Sequence, residues 1–196
     1  MSCKINVLLD LDQTLISAEG DDEYNHDKSK DKAKKFTYHD MDGYYIVFER
    51  PGLQQFLDYL FKNFNVSVWT AASKDYATFI INKILLQDNK ERQLDWIFFS
   101  YHCDISKKLK NGTKDLSVLW DLYGIKDHNK DNTVILDDYD EVHNTQPGNC
   151  IIAKPFEFSD KKSHKDDYLG KLTDAIANMK NVSMVRDING KLKGGD

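Results

Sequence analysis

The chain has 196 residues, of which 40% are hydrophobic, 12% aromatic and 30% charged; that is enough apolar matter for one buried core and too much for a disordered chain. With 27 Lys and Arg against 32 Asp and Glu, the formal net charge is −5, so no net positive field draws the protein to nucleic acid or to an anionic membrane, and neither is an expected partner. Cys3, Cys103 and Cys150 are odd in number and form no CxxC pair, which argues against a disulfide framework or thiolate zinc and for a reducing, intracellular setting, cytoplasmic or nuclear.

In chain order, residues 5–9 read as a buried strand, too short for a leader or a membrane span. From residue 20 to residue 35, ten of sixteen residues are charged without apolar periodicity, which predicts a solvated loop. Phe36 to Tyr38 and Tyr44 to Phe48 flank Asp42-Gly43, a hairpin signal. Leu53, Phe56, Leu57, Leu60, Phe61 and Phe64 recur at helical spacing; Val66 to Trp69 follow as a strand. Ala77, Ile80, Ile81, Ile84 and Leu85 predict a second helix with Ser73 as its N-cap. Residues 96–99 read as a strand, Leu116, Leu119, Trp120 and Tyr123 as a helix stopping at Gly124, and residues 133–136 and 150–153 as two more strands. A last helix follows from Tyr168, Leu169, Leu172, Ile176 and Met179. Strands apolar on both faces, alternating with helices, predict an α/β Rossmann-like fold with a mostly parallel sheet flanked by helices. One domain is expected over residues 1–185, with residues 17–49 as a loop and β-hairpin flap inserted after the first strand, and residues 186–196 as a fraying tail.

Ligands of an open parallel sheet bind beyond the carboxyl ends of its strands. Those ends carry Asp10, Asp12 and Thr14 after the first strand, Thr70 after the second, Asp137 and Asp138 after the fourth, with Lys114 ahead of it. Several carboxylates in one place require a cation, and an all-oxygen set suits Mg²⁺. The six histidines show no ligand spacing, so zinc is not expected and they are assigned mostly to the surface.

Asp10-Leu11-Asp12-Gln13-Thr14 after a buried strand resembles the first motif of the haloacid dehalogenase (HAD) superfamily of aspartate-nucleophile phosphatases. Arg50-Pro51-Gly52, Val68 to Ala71, Lys114 to Ser117, and Ile135 to Asp138 with Gln146-Pro147 and Asn149 downstream resemble the FCP/SCP (NLI-interacting factor-like) branch, whose members dephosphorylate phosphoserine in proteins, most familiarly in the C-terminal repeats of RNA polymerase II. The resemblance implies Asp10 as nucleophile through an aspartyl-phosphate, Asp12 as acid and then base, and Mg²⁺ held by Asp10, the Asp12 carbonyl and Asp137, with Asp138 beside them. It further implies Thr70 and Lys114 as phosphate ligands, while Thr14 supports the loop. Tyr76 matches a substrate-lining position, and also lies where it could pack inward. Trp69 is assigned to core packing. One departure is that Ser100 to Asp104 contains no Arg where the family often has one; Lys107, Lys108 or Lys110 could substitute only as point charges. The implied protein is a monomeric phosphatase acting on a phosphorylated protein or peptide. A phosphatase for a small metabolite or a nucleic-acid end, and a catalytically weak phosphopeptide-binding module, are the alternatives.

Overall fold

The computed structural model describes residues 4–20, 26–110 and 112–194. Its centre is a parallel sheet of five strands: β1 (Asn6–Leu9), β5 (Asn65–Trp69), β6 (Leu94–Phe98), β7 (Thr133–Asp137) and β8 (Cys150–Ile152), in the order β6-β5-β1-β7-β8. β1 lies in the middle, with Leu9 level with Val68 of β5 and Leu136 of β7. Val7 and Leu9 point into one apolar cluster and Leu8 into the other, which is why the strand reads as a continuous apolar run. The chain leaves β1 toward β5 on one side and returns to β7 on the other, so the crevice beyond the C-terminal end of β1 is the topological switch point.

The larger cluster is closed by α2 (Leu53–Asn63), α3 (Lys74–Ile80), α6 (Tyr168–Ile176) and α7 (Val185–Lys193). Gly52 caps α2 at φ 82°, a left-handed conformation that a side chain would strain. Leu53, Phe56, Leu57 and Leu60 are its buried stripe, each worth about 1.5–3 kcal/mol of burial. Ser73 caps α3 by accepting the Tyr76 amide, as its position predicted, and the helix continues as a π-helical segment, Ile81–Leu86. On the other face, Trp69, Phe98, Leu119 and Ile135 pack with Leu8, and Trp69 is wholly buried, as expected.

The predicted hairpin is present. β3 (Tyr38–Met41) and β4 (Tyr45–Glu49) pair antiparallel, joined where Asp42 (φ 49°) and Gly43 (φ 75°) are left-handed and the Tyr44 amide donates to the Met41 carbonyl. A third strand, β2 (Ile16–Gly20), joins β4 to complete a sheet ordered β2-β4-β3. Its alternation is masked by Ser17 and Glu19, so the sequence did not mark it.

Several expectations are corrected. The charged run is not loop throughout: His26–Ala33 is helix α1, whose Ala33 is buried with Phe48 and Phe158; residues 21–25 lie outside the described residues, as do Cys3, residue 111 and residues 195–196. The helix expected around Leu116 to Tyr123 is only a short π-helical segment, Val118–Leu122, and Lys114 precedes it in a loop. α4 (Ser100–Lys110) and α5 (Asp140–Thr145) were not foreseen, being too polar or too short to show a periodic stripe. Residues 186–194, expected as a fraying tail, are mostly helical. They lie largely in α7, which buries Val185, Ile188 and Asn189; the Asn189 side chain bonds the backbone of Cys150 and Ile152, extending the edge at β8. Of the histidines whose burial is described, His128 is buried, against the surface assignment, whereas His39, His102, His143 and His164 are half-buried and keep some surface. Cys103 and Cys150 are free and buried. Among the described residues no helix is long and apolar enough to cross a membrane.

Candidate active site

Asp10 stands immediately after β1, its amide bonded to the Leu136 carbonyl of β7. Asp137 ends β7 and Asp138 follows it. These two strand ends place one carboxylate oxygen from each of Asp10, Asp137 and Asp138 within 4.8 Å of one another. The Lys114 ammonium donates to Asp10 Oδ1 at 2.6 Å and to Asp137 Oδ2 at 2.7 Å. Thr14 Oγ1 donates to Asp138 Oδ1 at 3.1 Å and lies 3.4 Å from Asp10 Oδ2, so it supports this group as expected.

Burial, and then the charge of Asp10, pushes the Asp137 carboxyl up to about 7 and the Asp138 carboxyl up to about 6. Burial alone would lower Lys114, but Asp10 and Asp137 hold its ammonium above the ordinary value. One cation among three carboxylates leaves net negative charge in a low-dielectric pocket. A hard, all-oxygen donor set with that excess fits Mg²⁺ and gives a softer metal no soft ligand. No histidine or cysteine joins a group able to hold a metal among the described residues.

Asp12 is separate from that group. Its Oδ1 accepts from the Tyr76 hydroxyl at 2.5 Å, and it lines an open cleft with Gln13, Ser17, Glu19 and Glu157. Burial raises its carboxyl, outweighing the Tyr76 bond that lowers it. Burial and then Asp12 raise the Tyr76 phenol, which therefore stays a donor at neutral pH. The loop turns back after Asp12 because Gln13 is left-handed (φ 58°) and its amide bonds Ile16.

Thr70 follows β5 on the strand next to β1; it is buried, and its Oγ1 accepts the Ala72 amide at 3.0 Å. Of the lysines considered as substitutes for an Arg, Lys110 pairs with Asp121 at 2.5 Å, while Lys107 and Lys108 are exposed on α4.

Three further residues hold the site together, and motif reading gave them no role. Gln146 donates to the Lys114 carbonyl at 2.7 Å and accepts the Leu116 amide at 3.0 Å. Glu141 accepts the Thr113 amide at 3.0 Å and the Thr113 hydroxyl. Arg50 is buried; it donates to the carbonyls of Thr14 (2.9 Å) and Lys154 (2.8 Å), grips Asp166 with two bonds and lies over the Tyr168 ring. Arg50 and Gln146 stood in quoted motifs, but which backbone each would grip depends on the fold.

Residues 5–186 match a family model described as NLI interacting factor-like phosphatase. The chain is 42% identical over 175 residues to the putative CTD phosphatase-like protein 355R of Invertebrate iridescent virus 6, covering 87% of this chain and 96% of that protein. It is 43% identical over 180 residues to the protein of the same name in Invertebrate iridescent virus 3, covering 89% and 96%. Among solved structures it is similar to Fcp1, an essential RNA polymerase II CTD phosphatase, with a TM-score of 0.52 and 18% identity over 98% of this chain. That likeness is one of fold, and this chain spans 53% of the Fcp1 chain.

Proposed function

The chain belongs to the NLI interacting factor-like phosphatase family, and we propose that it is a Mg²⁺-dependent protein phosphatase acting on phosphoserine or phosphothreonine, in peptides like the C-terminal repeats of RNA polymerase II. The observation that carries this is the division of labour among the aspartates. Asp10, Asp137 and Asp138 converge with Lys114, whereas Asp12 stands apart on an open cleft.

Asp10 is the nucleophile. One of its carboxylate oxygens forms a bond to phosphorus as the ester P–O bond breaks, giving an aspartyl-phosphate on Asp10. Asp12 donates its proton to the departing serine or threonine oxygen. In the second half, a water attacks the phosphorus, Asp12 takes its proton, and phosphate leaves with Asp10 restored. Lys114 has three N–H donors; Asp10 and Asp137 use two, and the third is available to a phosphate oxygen. The Thr70 hydroxyl, at the neighbouring strand end, binds another, and Tyr76 borders the substrate.

The carboxylates of Asp10, Asp137 and Asp138 and the backbone carbonyl of Asp12 would hold Mg²⁺. When bound, the ion supplies positive charge that lets an anionic carboxylate approach an anionic phosphate. The hairpin of β3 and β4 serves as a flap over the site, and residues 1–185 act as one catalytic domain, with α7 packed onto it.

The test is turnover of a phosphoserine peptide against 4-nitrophenyl phosphate, a nucleotide and a sugar phosphate. Peptide turnover that EDTA abolishes, that Asp10→Asn abolishes, and that beryllium fluoride blocks is expected. Phosphopeptide binding without phosphate release would mean a binding module, and preference for the nucleotide or the sugar would mean a metabolite phosphatase.

A further inference from the structure

Tyr76 was expected to line a substrate pocket or to pack inward, and the structure gives its hydroxyl a more specific contact. It donates to Asp12 Oδ1 at 2.5 Å, across 64 residues of sequence, from the first turn of α3 to the loop after β1. The ring is itself braced. Tyr45 of β4 packs edge-to-face against it, with centroids 5.4 Å apart and planes at 82°. The Ser73 cap accepts the Tyr76 amide, and Ala77, the next residue, is fully buried. The phenol therefore reaches Asp12 from a fixed helix start on one side and from the hairpin on the other.

A carboxylic acid on a freely rotating bond delivers its proton poorly, because only a small share of its orientations point at the leaving oxygen. A bond from Tyr76 to Oδ1 fixes that rotation and leaves Oδ2 to carry the proton. Asp12 is also outside the Asp10, Asp137 and Asp138 group, and Tyr76 supplies a side-chain hydrogen bond to its carboxylate.

We propose that Tyr76, braced by Tyr45 of the hairpin, is a positioning residue that aims the Asp12 carboxyl at the leaving-group oxygen. This rests on the assignment of Asp12 as the acid, and the experiment is chosen to test the two separately.

The readout is kcat/KM for a series of aryl phosphates, from 4-nitrophenyl phosphate to phenyl phosphate, measured with wild type, Tyr76→Phe, Tyr45→Ala and Asp12→Asn. These small substrates do not probe peptide binding, and kcat/KM reports the step in which the leaving group departs. A poorly aimed acid harms poor leaving groups most. Tyr76→Phe is expected to lower kcat/KM on phenyl phosphate about tenfold more than on 4-nitrophenyl phosphate, and Tyr45→Ala to do so by a smaller factor. Asp12→Asn should show the steepest dependence, about 100-fold across the series.

An equal loss on every substrate in Tyr76→Phe would mean a merely structural role and overturn the proposal. A rise in peptide KM with an unchanged aryl series would do the same in favour of a pocket wall. If Asp12→Asn itself showed no leaving-group dependence, the assignment of Asp12 would fall, and the role of Tyr76 with it. A steep Asp12→Asn series beside a flat Tyr76→Phe series would overturn only the role of Tyr76.

Discussion

Gln146 brackets Lys114: its side-chain amide donates to the Lys114 carbonyl at 2.7 Å while its oxygen accepts the Leu116 amide at 3.0 Å. The residue comes from the segment after α5, downstream of Asp137 and Asp138, so the turn bearing the lysine is tied to the chain that bears the carboxylates. Gln146→Ala removes both bonds and leaves backbone groups unpaired. We expect a loss of about 2 kcal/mol in urea unfolding and a fall in turnover of about tenfold, through displacement of Lys114 by a fraction of an ångström. Turnover equal to wild type in a folded Gln146→Ala protein would refute the link.

Lys114 is the one cation in direct contact with the site carboxylates among the described residues, and its side chain is only 4% exposed. Replacing it with Met strands two buried carboxylates, a change that typically costs about 3–5 kcal/mol. In EDTA, the urea midpoint of Lys114→Met should fall accordingly, and millimolar Mg²⁺ should restore part of it by binding the same carboxylates. Wild type should also gain thermal stability from Mg²⁺, whereas Asp137→Asn should gain much less. An equal Mg²⁺ response in Asp137→Asn would remove Asp137 from the ligand set.

Arg50 has no exposed side-chain surface and joins the Thr14 loop to Lys154 and to Asp166 ahead of α6. Lysine would keep the charge but not the planar fork or the stacking on Tyr168. Arg50→Lys should cost about 3 kcal/mol and reduce activity, because Thr14 supports Asp10 and Asp138. A melting temperature within a degree of wild type would contradict this.

Two histidines set an acid limit on stability. Burial lowers His102, whose Nδ1 accepts the Phe99 amide at 2.9 Å, and burial lowers His128, although Asp95 and Asp127 act in the opposite direction. Below the ordinary value of 6.5 the unfolded chain takes up protons that the folded chain refuses. Their contribution is therefore fully present above that pH and is lost as pH falls below it through the lowered folded-state values. Measured in Mg²⁺, which by binding at the proposed site would hold Asp137 and Asp138 ionised, the urea midpoint should drop between pH 7.5 and 5.5. The drop should be smaller in His128→Leu; an identical drop in both proteins would exclude His128 as a contributor.

The sequence by itself determined the parallel sheet, its main helices and the identity of the chemical groups. Residues buried on both faces must be apolar throughout, as in β1 and β7, and helices covering a sheet must carry a stripe, as in α2 and α3; both constraints leave periodic marks. The aspartates at strand ends were legible for the same reason, since Asp10 and Asp137 each interrupt an apolar run at the carboxyl end of a strand, although both carboxylates are buried. α4, α5 and β2 left no such mark, because they bury little or alternate with polar residues. α7 is an amphipathic helix whose buried Asn189 satisfies the backbone of β8, and its Gly and Lys content disguised it as a tail.

Only the tertiary structure decided which groups meet. Lys114 is 104 residues from Asp10 and 23 from Asp137, and no local pattern states that one ammonium will serve both. Tyr76 could have lined a substrate pocket or packed inward; its ring packs against the larger cluster, while α3 and β4 carry its hydroxyl to Asp12. Periodicity records what each segment buries against, whereas hydrogen bonds and ion pairs between distant segments depend on register and strand order, which exist only once the sheet has formed.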